Sequence, residues 1–497
     1  MILSKDNLKN INVPGLQTPD EAIFALPEKV LQFGTGVLLR GLPDYFIDKA
    51  NRNGVFNGRI VVIKSTDKGT TADFDQQDNL YTIYSKGIEN SQQVSEEVIC
   101  SSISRVLLAG NDWAKILEVA RSPDLQVVIS NTTEVGIQLV EEDIDQQPPL
   151  SYPGKVLAVL YERHKAFNGD KNSGLIIIPT ELIVNNGKKL KAIVLQLARY
   201  NHLEPEFIDW LENQNNFCDS LVDRIVPGKP EKQLAAELEA KRGYTDDLHI
   251  MSEPYSLWAI EGDENVARVL SFSRVDKGVV ITPDIELFRE LKLRVLNGSH
   301  TLSCALAILS GFATVKEAMD DDSFLHFITQ LIYNEIIKSI PYKIDPSIAA
   351  DFAGKVLDRF RNPYIRHEWL SISVQYSSKI KMRIIPLLLN YYKLNNTVPQ
   401  HMALGFAAFI RFMKIEQEAD GTYIGSIHSK QYTVSDSQAS HFHKAWQAKD
   451  INQVANNILS NEYLWDVDLT ALPGFEKAIA DNINKIMAGG AKELTAV

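Results

Sequence analysis

Short apolar runs alternate with amphipathic segments through the first half of the chain. The runs VLQF, RIVVI, LQVVIS and GLIIIP each have the length of a buried strand, and each ends in a turn of small or polar residues. Between them lie segments such as NDWAKILEVARS and GKVLAVLYERHKAF, whose apolar residues recur at helical spacing. Strands that alternate with helices are typical of a mostly parallel sheet covered by helices on both faces. The pattern predicts an α/β domain over residues 1–278.

The pattern changes near residue 280. Thr282, Pro283 and Asp284 have the composition of a helix start, with a capping hydroxyl, a first-turn proline and an acid near the positive dipole end. Helical spacing then dominates, in segments such as LHFITQLIYNEIIKSI, IAADFAGKVLDRFRN and MALGFAAFIRFMKIE. We therefore predict a mainly α-helical C-terminal domain over residues 279–497.

Composition narrows the class of protein. The 497 residues are 45% hydrophobic and 23% charged, ordinary values for a soluble globular protein of two or three domains. The net charge of −12 and the lack of a long basic run argue against nucleic acid or a membrane as partner. The N-terminal residues do not have the pattern of a signal peptide, and three widely spaced cysteines indicate a reducing compartment. We expect a cytoplasmic protein whose partner is a small molecule.

A Gly-Thr-Gly turn follows the first predicted strand, with glycines at Gly34 and Gly36. The helical segment that begins with Val37 and Leu38 and continues to Arg40 comes directly after it. A strand, a glycine turn and a helix form the arrangement that cradles a pyrophosphate, because the backbone approaches closely and the helix N-terminus offers N–H donors. The third glycine of the usual fingerprint is absent, and a plain strand-to-helix turn is the alternative. We predict a Rossmann-like domain with these residues at the cofactor.

The end of the second strand is where such a domain reads the adenosine ribose. Asp67 could hold the ribose diol, as an acid does in NAD enzymes, and Lys64 could instead accept the 2′-phosphate of NADP. The alternative for both is a solvated loop. These residues leave the choice of dinucleotide open.

Polar residues also follow the third strand. Asn131, Thr132 and Glu134 lie where the strand LQVVIS ends. The carboxyl ends of parallel strands border the ligand crevice of an open α/β sheet. We predict that these residues belong to the cofactor site, with a polar turn as the alternative.

The polar residues Lys292, Asn297 and His300 lie within the otherwise mostly apolar segment LKLRVLNGSHTL. On a continuous α-helix their side chains fall within an arc of about 140°. A lysine can donate a proton, an asparagine amide can donate to a developing oxyanion, and a histidine can orient a hydroxyl, which together suit carbonyl reduction. The alternative is an amphipathic helix with the lysine in solvent and the histidine in the core.

Basic residues concentrate in the stretch from 359 to 383. They are Arg359, Arg361, Arg366, His367, Lys379, Lys381 and Arg383. On an acidic protein such a stretch could form a carboxylate or phosphate pocket, and solvated helix faces are the alternative. His428, His441 and His443 lack the HExxH or paired-cysteine spacing of a zinc site, so we expect no metal.

These motifs together resemble the polyol-specific long-chain dehydrogenases, the mannitol dehydrogenase family. That family has a lysine, an asparagine five residues on and a histidine three further, which Lys292, Asn297 and His300 match. The segments FGTGVLLRG, LVDRI and RFRNPYI resemble its glycine turn, its VDR segment and its RFxNPxI motif. The resemblance spans most of the chain. It implies Lys292 as acid/base, Asn297 as oxyanion donor and His300 as substrate positioner.

Within the family, the segments SNTTEVG, SYPGKV, GLIIIPTELI and FCDSLVDRIV resemble members that act on a hexuronate. This resemblance implies NAD(H)-dependent interconversion of D-tagaturonate and D-altronate in bacterial galacturonate breakdown, by a monomer without a metal. It implies Glu134 near the proton path and Asp223 near substrate hydroxyls. A desolvated substrate carboxylate needs a cationic partner, for which we nominate His367, Lys379 and Arg383.

The chain departs from the family at Leu182. Mannitol and fructuronate enzymes have an asparagine there, in a CDNLxxNG stretch, as a second oxyanion donor. The departure argues against those two substrates and leaves the oxyanion hole incomplete. A fructuronate or mannitol enzyme, and a nucleotide-binding regulator without chemistry, remain the alternatives.

Overall fold

The computed structural model describes residues 1–65, 70–132, 136–427 and 430–496. They form two compact units, which we describe separately. The first unit consists of residues 1–86 and 93–285, and the second of residues 87–92 and 286–497. The assignment of cofactor binding to residues 1–278 and of substrate binding to residues 279–497 stays a prediction.

The chain up to residue 285 alternates between strands and helices. The strands are β1 (Leu16–Gln17), β2 (Glu28–Phe33), β3 (Arg59–Lys64), β4 (Tyr81–Glu89), β5 (Gln92–Cys100), β6 (Ile103–Leu108), β7 (Val127–Ser130), β8 (Ile176–Pro179), β9 (Asn216–Phe217), β10 (Ser220–Asp223), β11 (Ile250–Ser252), β12 (Leu257–Glu261) and β13 (Val279–Thr282). The α-helices are α1 (Val37–Gly41), α2 (Pro43–Arg52), α3 (Ala72–Gln76), α4 (Ala109–Ala120), α5 (Tyr152–Ala166), α6 (Asn186–Tyr200), α7 (Pro205–Asn213), α8 (Lys232–Arg242) and α9 (Glu264–Val269). Short 3-10 helices cover Leu8–Asn10, Glu21–Ala25, Lys171–Ser173 and Ser271–Arg274.

The central sheet of the first unit is parallel and has the order β6-β3-β2-β7-β8-β9. Alternate residues of β3 enter two separate apolar clusters. Ile60 and Val62 belong to one, and Val61 and Ile63 belong to the other. A strand buried on both faces reads as a continuous apolar run, which is why RIVVI shows no polar alternation. The predicted α/β class with a mostly parallel sheet is confirmed.

The strand order of the central sheet reverses between β2 and β7. From β2 the sheet grows through β3 to β6 on one side, and from β7 through β8 to β9 on the other. Such a reversal opens a crevice at the carboxyl ends of the two central strands. The glycine turn follows β2 and the Asn131 segment follows β7, so the fold brings the two predicted cofactor segments to this reversal.

Two smaller sheets complete the first unit. One has the order β1-β5-β4-β11, and the other has the order β10-β12-β13, in which β10 pairs antiparallel to β12. The alternating pattern did not predict them.

The second unit is mainly helical, as predicted. Its α-helices are α10 (Glu286–Glu290), α11 (Asn297–Leu309), α12 (Val315–Met319), α13 (Asp322–Gln330), α14 (Pro346–Phe360), α15 (Trp369–Ile372), α16 (Tyr376–Lys379), α17 (Ile385–Asn395), α18 (Gln400–Phe412), α19 (Ala439–Ala445), α20 (Ile451–Leu459), α21 (Glu462–Trp465) and α22 (Phe475–Lys485). Wider π-helical turns cover Leu291–Leu296, Leu331–Ile336, Ile380–Ile384 and Ile486–Gly490. Short 3-10 helices cover Leu469–Ala471 and Glu493–Ala496. None of the helices in the described ranges combines the length and the apolar character that a membrane crossing requires.

Two features of the second unit differ from the sequence-based prediction. The first helix begins at Glu286, and Thr282 is the last residue of β13 rather than a helix cap. A three-stranded antiparallel sheet of β14 (Ile415–Gln417), β15 (Tyr423–Ile427) and β16 (Lys430–Val434) interrupts the helices. Strands of three to five residues offer too few positions to show a period of two, so the pattern missed them.

Candidate active site

The turn after β2 closes tightly against the end of β7. Gly34 has a backbone φ of +130°, a conformation that residues other than glycine rarely adopt. A Cβ added there would lie 2.9 Å from Leu39 Cδ1 and 3.2 Å from the carbonyl oxygen of Asn131. Gly36 is exposed and precedes α1. Gly34 therefore allows the turn to pack against Asn131, and the exposed backbone at Gly36 fits the pyrophosphate of a dinucleotide.

The side chains of α1 support the turn from the interior. The Arg40 guanidinium is buried, donates to the carbonyl of Leu248 at 2.5 Å, and stacks on Phe74 and Tyr81. Val37 and Leu38 pack against the apolar core. These contacts show that Arg40 supports the turn, and its predicted contact with the cofactor stays a prediction.

The segment after β7 is held by an acid that the sequence analysis overlooked. Glu181 is 2% exposed and accepts hydrogen bonds from the Thr132 amide at 2.8 Å and the Thr132 hydroxyl at 2.9 Å. The Asn131 side chain donates to the carbonyl and hydroxyl of Thr180, and its amide donates to the Phe33 carbonyl at 3.2 Å. Burial raises the pKa of Glu181, and the hydrogen bonds from Thr132 oppose that rise. Its place at the carboxyl end of β8 was the signal available in the sequence.

Two predicted cofactor residues lie outside the described residues. They are Asp67 and Glu134, and their roles stay predictions. Lys64, the alternative reader of the ribose, is half-buried at the end of β3.

The VDR segment ends β10. Asp223 is buried, and its role near substrate hydroxyls stays a prediction. The neighbouring Arg224 donates to the Gly41 carbonyl at 2.6 Å, to the Glu253 carbonyl at 3.0 Å and to Ser85 Oγ at 2.7 Å. This buried arginine connects the end of α1 to strand β4 of the sheet β1-β5-β4-β11, which is a structural role.

Leu182, in the loop after β8, is 63% exposed. The nearby Asn186 does not replace the missing amide donor, because its own amide is fully engaged. It donates to the carbonyls of Pro179, Glu181 and Ser220. Among the described residues, the side-chain amide of Asn297 therefore stays the predicted oxyanion donor.

The Lys-Asn-His motif lies on a helix that is widened at the lysine. The backbone N–H of Asn297 donates to the backbone carbonyl of Lys292, five residues earlier, and this bond closes the π-helical turn Leu291–Leu296. The arc of about 140° assumed α-helical geometry, so it does not apply here. One wide turn separates Lys292 from Asn297 and stacks them on one face, as an i,i+4 pair stacks on an α-helix. Both are half-buried, and His300 is 7% exposed. Single wide turns of this kind are frequent at functional sites.

Aromatic rings enclose His300. Its imidazole stacks on Phe360 at a centroid distance of 4.0 Å and meets His367 edge-on at 5.0 Å. Trp369 closes a further side at 5.9 Å. Among the described residues, Nε2 of His300 is buried without a hydrogen-bond partner. A buried, unpaired ring nitrogen is suited to a ligand hydroxyl.

Four basic residues surround this histidine, and we call Arg359, His367, Lys379 and Arg383 the basic cluster. The positive charge of all four lowers the pKa of His300 beyond the effect of burial. Lys379 Nζ donates to the Ile372 carbonyl at 2.7 Å. The three residues that we nominated are therefore brought together. Arg359 was counted in the basic stretch but not nominated, although it opens the motif RFRNPYI.

The other basic residues of the stretch lie near acids outside the basic cluster. Arg361 lies 3.9 Å from Asp358, Arg366 pairs with Glu368 at 2.9 Å, and Lys381 pairs with Asp466 at 2.8 Å. For these three residues the alternative, a side chain at least partly in solvent, is the better interpretation.

The electrostatics of the basic cluster favour an anion. Burial, followed by the charges of Arg359 and Lys379, lowers the pKa of His367. Burial and Arg383 lower the pKa of Lys379, and burial lowers the pKa of Arg383 to about 10. Burial thus disfavours the charged forms of His367, Lys379 and Arg383, and neighbours of like charge add to this effect at His367 and Lys379. A bound carboxylate would relieve both effects.

Replacing His367 with glutamine should flatten the pH dependence of stability. A folded-state pKa below the ordinary 6.5 means that the unfolded chain binds more protons below that pH, so this histidine makes stability fall as pH falls. The loss of unfolding free energy between pH 7.5 and pH 5.5 should be smaller in the variant, by at most about 1.4 kcal/mol. Urea unfolding at both pH values measures it, and an equal or larger loss in the variant would contradict the assignment.

Comparison with known proteins finds matches over most of the chain. Residues 28–273 match the mannitol dehydrogenase Rossmann domain, and residues 284–487 match the mannitol dehydrogenase C-terminal domain. An altronate oxidoreductase of Halalkalibacterium halodurans is 38% identical over 477 residues, which cover 94% of this chain and 92% of that protein. The altronate oxidoreductase of Bacillus subtilis is 36% identical, with 93% of each chain covered.

Two solved structures share the fold. Pseudomonas fluorescens mannitol 2-dehydrogenase, in a ternary complex with NAD and D-mannitol, has a TM-score of 0.70 at 21% identity, covering 100% of this chain and 99% of that chain. A D-sorbitol dehydrogenase in substrate-free form has a TM-score of 0.80 at 20% identity, with 100% of both chains covered. The matches to both domains and to full-length relatives agree with the glycine turn and with the Lys-Asn-His motif. The chain belongs to the mannitol dehydrogenase family of oxidoreductases.

Proposed function

We propose that this protein catalyses the NADH-dependent reduction of D-tagaturonate to D-altronate, and the reverse oxidation, in hexuronate breakdown. The observation that carries the proposal is the basic cluster around His300, on the same unit as Lys292 and Asn297. A polyol or a neutral ketose offers no negative charge to the basic cluster, whereas a uronate carboxylate does. The relatives named altronate oxidoreductase support the same substrate class.

The proposed reaction reduces a keto group to a secondary alcohol. A nicotinamide cofactor held at the glycine turn would supply the hydride to the carbonyl carbon, and the carbonyl π electrons would then move onto the oxygen. The Lys292 ammonium donates a proton to that oxygen and becomes a neutral amine. The Asn297 amide donates a hydrogen bond to the oxygen as negative charge develops there. In the oxidation direction the neutral amine accepts the same proton.

His300 is proposed to orient the substrate rather than to carry charge. Burial and the basic cluster lower its pKa well below the ordinary value, so its ring is neutral at neutral pH. Nε2 then forms a hydrogen bond with a substrate hydroxyl beside the keto group. A neutral ring also adds no further positive charge to the cluster.

The carboxylate is proposed to bind at Arg383 and Lys379, beside His367. Arg383 Nη1 donates to Thr301 Oγ1 at 3.1 Å, and among the described residues its Nε is buried without a partner. An arginine presents several donors in one plane, so the remaining ones can address a carboxylate.

The cofactor is proposed to be NAD(H), bound at the turn after β2 and at the segment after β7. The two segments meet at the strand-order reversal, with Gly34 against Asn131. The choice over NADP(H) is what the family resemblance implies, with Asp67 as the expected ribose-binding acid and Lys64 as the residue that would favour NADP(H) instead.

A paired assay tests substrate and cofactor together. Initial rates with tagaturonate, fructuronate and fructose, each with NADH and with NADPH, should give the highest kcat/KM for tagaturonate with NADH. A higher kcat/KM for fructose would contradict the carboxylate-binding cluster. A preference for fructuronate would keep the cluster and change the substrate, and a preference for NADPH would shift the ribose contact from Asp67 to Lys64.

A further inference from the structure

A buried arginine joins the helix of the predicted catalytic lysine to the segment that carries Arg383. Arg294 lies two residues after Lys292 and is 6% exposed. Its Nη1 donates to the Met382 carbonyl at 2.6 Å and to the Arg383 carbonyl at 3.0 Å. Its Nε and Nη2 donate to the two carboxylate oxygens of Glu290, at 3.0 and 3.2 Å. Four of the five N–H donors of the guanidinium are therefore committed to protein acceptors.

The sequence around residue 383 explains why the Met382 carbonyl needs an external donor. Pro386 has no amide hydrogen, so it cannot donate the α-helical hydrogen bond to Met382, four residues earlier. The preceding turn Ile380–Ile384 is π-helical, and the amide of Ile385 donates back to Ile380. Arg294 supplies a donor where the helix lacks one. A buried carbonyl without a partner destabilises a fold by about 1–3 kcal/mol, so the hydrogen bond from Arg294 should stabilise the fold by removing this cost.

The side chain of Arg383 is held by the same helix. Its Nη1 donates to Thr301 Oγ1, and that hydroxyl donates to the Asn297 carbonyl at 2.7 Å. The carbonyl of Arg383 is thus fixed by Arg294, before Asn297 in sequence, and its guanidinium is fixed by Thr301, after it. Arg383 is clamped at both ends by the segment that carries Lys292, Asn297 and His300.

We propose that Arg294 is a positioning residue that sets the place of Arg383 relative to Lys292 and His300, and thereby makes turnover depend on the anionic group of the substrate. The inference rests on the proposed function, because Arg383 is the proposed carboxylate partner. Arg294 itself touches neither substrate nor cofactor. Its effect reaches catalysis through the distance between the carboxylate and the reacting keto group.

The experiment compares two arginine-to-lysine variants. Arg294→Lys keeps the charge near Glu290 but cannot donate to Glu290 and to both carbonyls at once. Arg163→Lys is the matched control, because Arg163 is a buried arginine of the first unit that donates to the carbonyls of Ala120, Ser122, Leu125 and Ser173. The melting temperature and the kcat/KM values for tagaturonate and fructose are measured for both variants and for the wild type.

Both variants should melt at a lower temperature, and only Arg294→Lys should change the substrate preference. Its ratio of kcat/KM for tagaturonate over fructose should fall by about tenfold, as expected when one charged contact is misplaced. An unchanged ratio, or an equal fall in Arg163→Lys, overturns the inference. A wild type without preference for tagaturonate overturns the proposed function instead, and the inference with it.

A second variant separates positioning from folding. Pro386→Ala returns an amide hydrogen that can donate to the Met382 carbonyl. Combined with Arg294→Lys, it should recover part of the melting temperature without recovering the substrate ratio. Recovery of both together would show that the effect was on folding alone and would overturn the inference.

Discussion

Replacing Lys292 with alanine should lower kcat for tagaturonate by about 10²–10⁴-fold, the usual contribution of a positioned general acid. Lys292 is half-buried on a widened helical turn, stacked with Asn297 on one face. The variant removes the proton donor and leaves the proposed cofactor residues of the first unit in place. Stopped-flow measurement of NADH oxidation gives the rate, and NADH fluorescence titration gives the dissociation constant, which should stay nearly unchanged.

Lys292→Arg is the matched control for charge. It retains a cation at this position, but a guanidinium stays protonated at neutral pH and is a poor proton donor. It should therefore be nearly as inactive as Lys292→Ala. A Lys292→Arg enzyme with wild-type kcat would show that charge, rather than proton transfer, is what position 292 contributes. Loss of NADH binding in either variant would contradict the assignment of Lys292 to the chemical step.

Replacing Arg383 with methionine should raise KM for tagaturonate by about 10- to 150-fold, since a hydrogen bond to a charged group contributes about 1.5–3 kcal/mol. The methionine retains much of the apolar stem but has no donor for the carboxylate. kcat/KM for fructose should change far less, because fructose has no carboxylate. Steady-state kinetics with both substrates measures the difference.

Lys381→Met is the matched control for Arg383→Met. Lys381 lies on the same π-helical turn and loses the same charge, but it pairs with Asp466 and is not part of the basic cluster. Its KM for tagaturonate should remain close to the wild-type value. An equal rise in KM for both variants would mean that the total charge of the surface, rather than the cluster at His300, attracts the substrate.

The sequence by itself determined the α/β and helical architecture and the family, and it named candidates for the reacting groups. The runs VLQF, RIVVI, LQVVIS and GLIIIP specified the central parallel strands, because strands buried on both faces are continuously apolar. Gly34 and the Lys292-Asn297-His300 spacing were readable for a similar reason. Their chemistry depends on residues that are neighbours in the chain, so that local geometry alone brings them close.

The tertiary structure decided what supports those groups. Glu181 holds Thr132 across 49 positions of sequence, and Arg294 holds the Arg383 carbonyl across 89. Neither contact leaves a local pattern, because hydrogen bonds between distant segments depend on how the elements pack. The wide turn at Leu291–Leu296 was likewise invisible, since it differs from an α-helix by a single shifted hydrogen bond. Packing also decided which basic residues gather around His300 and which lie near acids instead, because the segment from 359 to 383 runs through several short helices and loops whose positions the residue spacing does not reveal.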